Sequence, residues 1–115
     1  MLAPLAMRLK GKQTDWSSLG VVVGATYPGE AQAVRARLPD AVFLVPGYGA
    51  QGATAGEAVA GFVPGPCGLE GGVVNSSRGI LFPEGGNVAD AASWERAIDA
   101  ALDQAINELG EAVTG

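Results

Sequence analysis

The stretch Val42-Phe43-Leu44-Val45-Pro46-Gly47-Tyr48-Gly49-Ala50-Gln51-Gly52 decides the fold. Its first four residues are apolar and rich in β-branched and aromatic types, which predicts a buried strand. Pro46 ends that strand because proline cannot donate a hydrogen bond to a strand ladder. The three glycines that follow permit a positive φ and a close approach of the backbone to a ligand. Thr54 is the predicted N-cap of the next helix. A strand, a glycine loop and a helix N-terminus in series therefore predict an anion-binding site.

Apolar runs on either side of this stretch predict two more strands, with helices between them. The expected strands cover residues 20–24, 41–45 and 73–75, and the expected helices cover residues 28–38, 55–62 and 87–109, after a short N-terminal helix that ends near Gly11. Gly110 suits the position just after the last helix, and residues 63–72 and 80–82 are expected to form a Pro/Gly loop and a short turn. Each strand is a continuous apolar run, which is typical of parallel strands that are buried on both faces and joined by right-handed helical crossovers. The sequence therefore predicts an α/β fold.

Three strands with their helices make an incomplete α/β domain. The chain has 115 residues, enough for one modest domain, and residues 1–115 are expected to form a single partial domain. Both outer strands of a three-stranded sheet would present unpaired backbone groups. We therefore expect further strands to come from another chain or from a missing segment.

Composition excludes several classes of function. The net charge is −5 and no basic run occurs, so we expect neither nucleic acid nor a membrane as a partner. Apolar runs too short to span a bilayer and a single cysteine, Cys67, favour a reducing cytoplasm. The chain has no histidine, which removes His-dependent catalytic triads and weakens any transition-metal site. We accordingly expect no bound metal.

Two polar residues follow successive predicted strands at the same end of the sheet. Gln51 lies in the glycine loop after the second strand, and Arg78 follows the third within Asn75-Ser76-Ser77-Arg78-Gly79. An arginine can fork onto phosphate oxygens and the Gly79 N–H can donate to them, whereas the alternative is a surface arginine in a turn. In a (β/α)8 barrel, the loops after strands 7 and 8 form the common phosphate site. Thr26 follows the first strand at that end, where its hydroxyl could face a ligand or cap the next helix.

A dinucleotide site is the competing interpretation of the glycine loop. The segment Gly47-Tyr48-Gly49-Ala50-Gln51-Gly52 matches G-x-G-x-x-G between a predicted strand and a predicted helix. That fingerprint also needs an acidic residue at the end of the following strand, where this chain has Asn75. Glu70 has the right separation but precedes that strand, and Pro46 before the loop is unusual, so this interpretation is disfavoured. Tyr48 could line a pocket, although packing on a neighbouring loop is the simpler expectation.

Three motifs occur in order along the chain, namely Gly24-Ala25-Thr26, Leu44 to Gly52 and Val74-Asn75-Ser76-Ser77-Arg78-Gly79-Ile80. Together they resemble the C-terminal part of orotidine 5′-phosphate decarboxylase, in its longer bacterial type 2 branch. The resemblance covers about residues 10–110 and extends to the spacing between the motifs. It implies a (β/α)8 TIM barrel of which strands 6, 7 and 8 are present here. That family converts orotidine 5′-monophosphate to UMP and CO2 in pyrimidine biosynthesis, as a dimer, without cofactor or metal.

The resemblance also implies roles for individual residues. Arg78 and the Gly79 backbone would bind the 5′-phosphate of the nucleotide. Gln51 would reach both the phosphate and the pyrimidine. Gly49 and Gly52 would shape the loop that carries Gln51. Thr26 is also placed in the expected substrate-binding set.

The chain departs from the family at the reacting end of the site. The family uses an alternating Asp/Lys network whose lysine protonates the carbon that loses CO2. The lysines here are Lys10 and Lys12, before the first strand, and no Asp-x-Lys motif occurs. We therefore predict no catalytic residue in this chain, and no activity until the N-terminal half-barrel is supplied, because binding energy at the phosphate promotes reaction only if the reacting end is present. The alternative is a non-catalytic phosphate- or nucleotide-binding module that completes its sheet by oligomerising.

Overall fold

A computed structural model describes residues 2–49, 51–83 and 90–115. The helices within these residues are α1 (Leu2–Arg8), α2 (Pro28–Arg37), α3 (Ala55–Ala58), α4 (Ser77–Leu81) and α5 (Ala91–Thr114). The strands are β1 (Gly20–Val22), β2 (Val42–Val45), β3 (Val63–Gly65), β4 (Gly68–Glu70) and β5 (Gly72–Val74).

A three-stranded parallel sheet in the order β1-β2-β5 forms the framework. This arrangement confirms the predicted α/β fold with parallel strands. Strands β3 and β4 follow β2 and α3 in the chain and pair antiparallel as a separate hairpin, outside the parallel sheet. The prediction of a Pro/Gly loop over residues 63–72 is therefore wrong. Gly68, with a φ of 124°, permits the tight turn that reverses the chain after Cys67.

The two faces of the parallel sheet differ in burial. On the covered face, Phe43 and Val45 are 1% and 3% exposed and belong to a buried cluster with residues of the helices. On the opposite face, Val22, Leu44 and Val73 lie side by side in the sheet register and are 68%, 45% and 59% exposed. These three residues are called the open sheet face below. The prediction that the strands are buried on both faces is therefore wrong for the part of the chain that the structure describes, because the helices there cover one face.

Small residues allow the helices and loops to approach the covered face closely. Phe43 is the largest fully buried side chain, and its cluster includes Ala31 of α2, Ala58 of α3 and Ala105 of α5. A Cβ atom at Gly61 would lie 2.7 Å from Cε2 of the Phe43 ring. The many alanines and glycines of the sequence thus correspond to short distances between the sheet and its covering elements.

A buried arginine joins the sheet to the loops around it. Arg35, on α2, is 7% exposed. Its guanidinium donates at 2.6–3.2 Å to five backbone carbonyl oxygens, those of Gly61, Leu38, Pro39, Ala41 and Gly71. The guanidinium carbon also lies 3.9 Å from the centre of the Phe43 ring. Burial lowers the pKa of Arg35, and the nearby Asp40 carboxylate opposes that effect.

Several element ends differ from the predicted ones. Helix α1 ends at Arg8, α3 ends at Ala58, the expected turn at residues 80–82 belongs to α4 as far as Leu81, and α5 continues past Gly110 to Thr114. The end of α5 packs on the hairpin, where a Cβ at Gly68 would lie 2.5 Å from the Val113 carbonyl oxygen. This packing overrides the cost of about 1 kcal/mol that glycine imposes on a helix interior. The predicted start of the last helix, at residues 87–89, lies outside the described residues.

Candidate functional site

The carboxyl ends of the three parallel strands meet at one edge of the sheet, and hydrogen bonds connect the loops that follow them. After β1, the Ala25 N–H donates to the Pro46 carbonyl oxygen at 2.8 Å. After β5, the Ser76 hydroxyl donates to the Tyr48 carbonyl oxygen at 3.1 Å. Both acceptors follow β2, so the loop after the central strand contacts the loops on either side. The three loops therefore form one connected surface at the carboxyl end of the sheet.

The glycine loop, residues 47–49 and 51–53, has the backbone geometry that the sequence predicted. Gly47, Gly49 and Gly52 have φ values of 101°, 77° and 88°. The Gly52 N–H donates to the Gly49 carbonyl oxygen at 2.8 Å, and the Gly49 N–H donates to that of Ala53 at 3.1 Å. These bonds fold the loop back on itself, and a side chain at any of the three glycines would strain the backbone.

Thr54 is the N-cap of α3, as predicted. Its Oγ1 accepts from the Glu57 N–H at 3.2 Å, and its own N–H donates to Glu57 Oε2 at 2.8 Å. This reciprocal pair is a capping box. The box occupies the N–H groups of Thr54 and Glu57, so these two donors do not face an anion. Helix α3 also has only four residues. The prediction that the start of α3 binds the anion is therefore not supported.

A cavity of about 100 Å³ lies between the glycine loop and the residues that follow β5. Gln51 and Arg78 both line this site cavity, together with Asn75 and Ser77. The structure thus brings together the two side chains that the sequence placed after successive strands. Arg78 lies in the first turn of α4, next to Gly79. The N–H groups of a first turn have no acceptor within their own helix, so the Gly79 N–H is left without an intrahelical partner.

The other predicted site residues do not line the site cavity. Gly49 and Gly79 line a second cavity of about 160 Å³, on the side of α5. Gly52 is exposed, and Thr26 is exposed beyond the end of β1 and lines neither cavity.

Tyr48 lines both cavities. It is 6% exposed. Its hydroxyl donates to Glu108 Oε2, and Gln104 Nε2 donates to Glu108 Oε1 at 2.7 Å. Burial, followed by the interaction with Glu108, raises the pKa of Tyr48 to about 12, and the Tyr48 and Gln104 donors lower the pKa of Glu108. Tyr48 is therefore a proton donor and Glu108 an ionised acceptor at neutral pH.

Glu108 is not among the site residues predicted from the sequence. A signal was available in the helical spacing, because Glu108 follows the buried Ala105 by three residues and Ala101 by seven. Residues at these separations lie on one face of a helix. The contact with Tyr48 could not be predicted, since 60 residues separate the two in sequence.

Lys10 lies at the other end of the sheet from the site cavity. Its Nζ is 3.7 Å from an oxygen of Asp40, which precedes β2, and 4.0 Å from one of Asp15. Among the described residues, no three His, Cys, Asp or Glu side chains cluster as metal ligands would. Over the same ranges, no helix has the length and apolar character needed to cross a membrane.

Comparison with known sequences gives relatives that are orotidine 5′-phosphate decarboxylases. An orotidine 5′-phosphate decarboxylase of Rhodopirellula baltica is 36% identical over 115 residues, which cover 94% of this chain and 37% of the relative. The enzyme of Polaromonas naphthalenivorans is 50% identical over 89 residues, which cover 72% of this chain and 30% of the relative. This chain is homologous to part of orotidine 5′-phosphate decarboxylase. It spans about a third of the length of these curated relatives, and no family model matches it.

Solved structures of orotidine 5′-phosphate decarboxylase and of a UMP synthase also resemble this chain. A Toxoplasma gondii crystal structure described as an orotidine-monophosphate decarboxylase has a TM-score of 0.50 at 34% identity, covering 79% of this chain and 30% of that one. The structure of Leishmania donovani UMP synthase has a TM-score of 0.53 at 33% identity, covering 93% of this chain and 22% of that one. These matches confirm the resemblance carried by the three motifs and favour it over the dinucleotide interpretation.

Proposed function

We propose that this chain forms the phosphate-binding end of an orotidine 5′-phosphate decarboxylase, the enzyme that converts orotidine 5′-monophosphate to UMP and CO2. In this proposal β1, β2 and β5 are strands 6, 7 and 8 of the (β/α)8 barrel, in its C-terminal part. The supporting observation is the site cavity, where Gln51 and Arg78 meet beyond the carboxyl ends of two adjacent parallel strands. In barrels of this kind, the loops at that position bind phosphate.

Each predicted site residue has a proposed role in binding the nucleotide. The Arg78 guanidinium donates two parallel hydrogen bonds to the 5′-phosphate, and the Gly79 N–H donates a third. The Gln51 amide reaches the phosphate and the pyrimidine. Gly49 and Gly52 give the loop the positive φ values that bring Gln51 to the cavity. Thr26, at the same end of β1, contributes its exposed hydroxyl to the nucleotide.

The chemical step is assigned to the remainder of the enzyme. Lys10 lies at the end of the sheet away from the site cavity, paired with Asp40 and Asp15, so it is not placed to protonate a pyrimidine bound near Gln51. We therefore assign the Asp/Lys network to the part of the barrel outside this chain. The binding energy at the phosphate would then promote decarboxylation once that part is present.

The open sheet face and the edge of β1 are the proposed contacts with the remaining half-barrel. A groove of about 760 Å³ runs beside β1 and is lined by residues of α1, β1 and α2, including Leu2, Val22 and Tyr27. These side chains are 48%, 68% and 65% exposed. Further parallel strands would pair with β1 and cover this apolar surface. We also propose that the complete enzyme is a homodimer and acts in the cytoplasm.

Thermal denaturation of the purified chain with UMP, uridine or inorganic phosphate tests the binding site. A ligand at about 100 times its Kd stabilises the folded state by about 2.7 kcal/mol. We expect UMP to raise the melting temperature, uridine to leave it unchanged, and Arg78→Ala to abolish the effect of UMP. Arg37→Ala removes the same charge from the last turn of α2 and should leave the UMP response intact. A UMP response that survives Arg78→Ala, or no response in the unmodified chain, would refute a preformed phosphate site.

Decarboxylation tests the assignment of the chemical step. The chain alone should release no CO2 from orotidine 5′-monophosphate. Co-expression with the N-terminal two-thirds of a close relative should give activity, and Arg78→Ala in this chain should reduce it. Turnover by the chain alone would show that the catalytic residues lie within it.

A further inference from the structure

Tyr48 connects three parts of the molecule through three different groups. Its hydroxyl donates to Glu108 on α5. Its carbonyl oxygen accepts from the Ser76 hydroxyl, in the loop after β5, at 3.1 Å. Its backbone also forms an isolated parallel bridge with Ala53 at the far end of the glycine loop. The loops after β2 and β5 therefore meet at a residue that α5 holds in place.

We propose that Tyr48 and Glu108 form a positioning clamp that sets the separation of Gln51 and Arg78 across the site cavity. The inference rests on the proposed function, because it assigns the clamp to the binding of that nucleotide. Glu108 lines the second cavity and not the site cavity. The clamp therefore acts through the glycine loop rather than on the ligand.

The glycine loop needs such a clamp for a physical reason. Three glycines with positive φ give the loop its shape, but glycine also has the greatest conformational freedom to lose. Fixing the backbone of each loop residue costs conformational entropy. If the loop were mobile, nucleotide binding would have to order it and the affinity would fall. A hydrogen bond from Tyr48 to the ionised Glu108 orders the loop when the chain folds, before any ligand arrives.

The orientation of Glu108 is itself fixed. Gln104, one helical turn earlier, donates to its second carboxylate oxygen at 2.7 Å. Both oxygens therefore have a donor, one from the loop and one from the helix. Tyr48 is 6% exposed, whereas Glu108 is exposed, so water reaches the carboxylate but has little access to the Tyr48 side of the contact. The contact is therefore expected to contribute as much as one ordinary hydrogen bond.

Four variants separate a positioning role from a structural one. Tyr48→Phe keeps the ring and removes the donor, Glu108→Ala removes the acceptor, and Glu108→Gln keeps an oxygen that can accept. Glu111→Ala is the matched control, one turn further along α5 on an exposed residue. The UMP dissociation constant is measured by calorimetry well below the melting temperature of every variant, and the melting temperatures are measured separately.

We expect Tyr48→Phe and Glu108→Ala each to weaken UMP binding by about 3- to 10-fold, the range that corresponds to one hydrogen bond. The double variant should bind no more weakly than either single variant, because both remove the same contact. Glu108→Gln should restore most of the affinity, and Glu111→Ala should leave it unchanged. A lower melting temperature with an unchanged dissociation constant would overturn the proposal, as would two effects that multiply in the double variant.

Amide hydrogen exchange in the unliganded chain distinguishes failure of the clamp from failure of the proposed function. The N–H groups of Gly49 and Gly52 donate within the loop and report its order directly. Tyr48→Phe should accelerate their exchange about 3- to 10-fold, with no change for the amides of β2. If the unmodified chain does not bind UMP, the preformed phosphate site is refuted, and hydrogen exchange alone then tests whether the clamp orders the loop. Unchanged exchange at Gly49 and Gly52 overturns it.

Discussion

Replacing the buried Arg35 with methionine should destabilise the chain by about 3–5 kcal/mol. Methionine replaces the aliphatic part of the arginine side chain, so the change removes the guanidinium while keeping the packing of the stem. Arg35 is 7% exposed and donates to five backbone carbonyl oxygens. These carbonyls belong to the connection between α2 and β2, to the loop before β3 and to the residue before β5. The substitution therefore affects contacts that hold three segments together.

The expected magnitude follows from the carbonyl groups that would lose their donor. The oxygens of Gly61 and Ala41, at 2.6 and 2.7 Å from Arg35, lie in buried hydrogen bonds, and each orphaned buried acceptor costs about 1–3 kcal/mol. The Leu38 oxygen is in a third buried bond, at 3.2 Å, but it keeps the Ala41 N–H as a donor at 3.3 Å. Those of Pro39 and Gly71 are only partly buried, so water can replace the guanidinium there. Loss of the stacking on the Phe43 ring adds roughly 0.5–2 kcal/mol. Relief of the desolvation of a buried cation opposes these losses and limits the total.

Urea denaturation followed by circular dichroism measures the change. Arg35→Lys should give an intermediate loss of about 2 kcal/mol, because a lysine keeps the charge but has three donors and no planar group to stack. Arg37→Met, in the exposed last position of α2, is the matched control and should be nearly neutral. A loss below about 1 kcal/mol for Arg35→Met would refute the reasoning, because it would show that the cost of burying the charge offsets its hydrogen bonds.

Three further predictions concern stability. Thr54→Ala should cost about 1 kcal/mol in urea unfolding, because it removes the oxygen of the α3 capping box, and Thr54→Ser should recover most of that loss. Phe43→Ala should cost about 3–5 kcal/mol, whereas Leu44→Ala on the open sheet face should cost less than half as much; equal losses would contradict the assignment of the faces. Asp90 accepts from the N–H groups at the start of α5 and from the Ser93 hydroxyl, which lowers its pKa. This stabilisation is complete above the unfolded pKa of about 4 and is lost as the pH falls through the lower folded pKa, so acid should reduce the helical circular dichroism less in Asp90→Asn; an equal reduction would show that the cap does not contribute.

The features that the sequence predicted correctly depend on residues close together in the chain. Pro28 begins α2, Thr54 caps α3, and the three glycines of the loop have positive φ, all as expected. Each of these follows from the conformational preference of a residue and its immediate neighbours. The meeting of Gln51 and Arg78 was predictable for a different reason. Parallel strands place the loops that follow them at the same edge, so the order of elements was sufficient.

The features that sequence analysis missed depend on contacts between distant residues. Arg35 reaches Gly61 and Gly71, 26 and 36 residues away, and Tyr48 reaches Glu108 across 60 residues. Arginine and glutamate are exposed in most proteins, so their type alone indicates a solvated position. The continuation of α5 beyond Gly110 also depends on a contact between distant residues. Its last turns pack on the β3–β4 hairpin, and this packing overrides the local helix-stop signal.

The open sheet face is a failed prediction that supports the proposed function. Complete burial of a valine or leucine side chain stabilises a fold by about 1.5–3 kcal/mol, but Val22, Leu44 and Val73 remain 68%, 45% and 59% exposed here. Helices that cover one face of the sheet require apolar residues at alternate positions only, whereas these strands are apolar at successive positions. Strands enclosed in a (β/α)8 barrel need apolar residues on both faces, because side chains fill its interior and helices cover its exterior. The sequence of the strands therefore matches the burial expected in the complete barrel better than the burial found in this chain, and addition of the remaining half-barrel should stabilise the open sheet face by roughly 1 kcal/mol per residue.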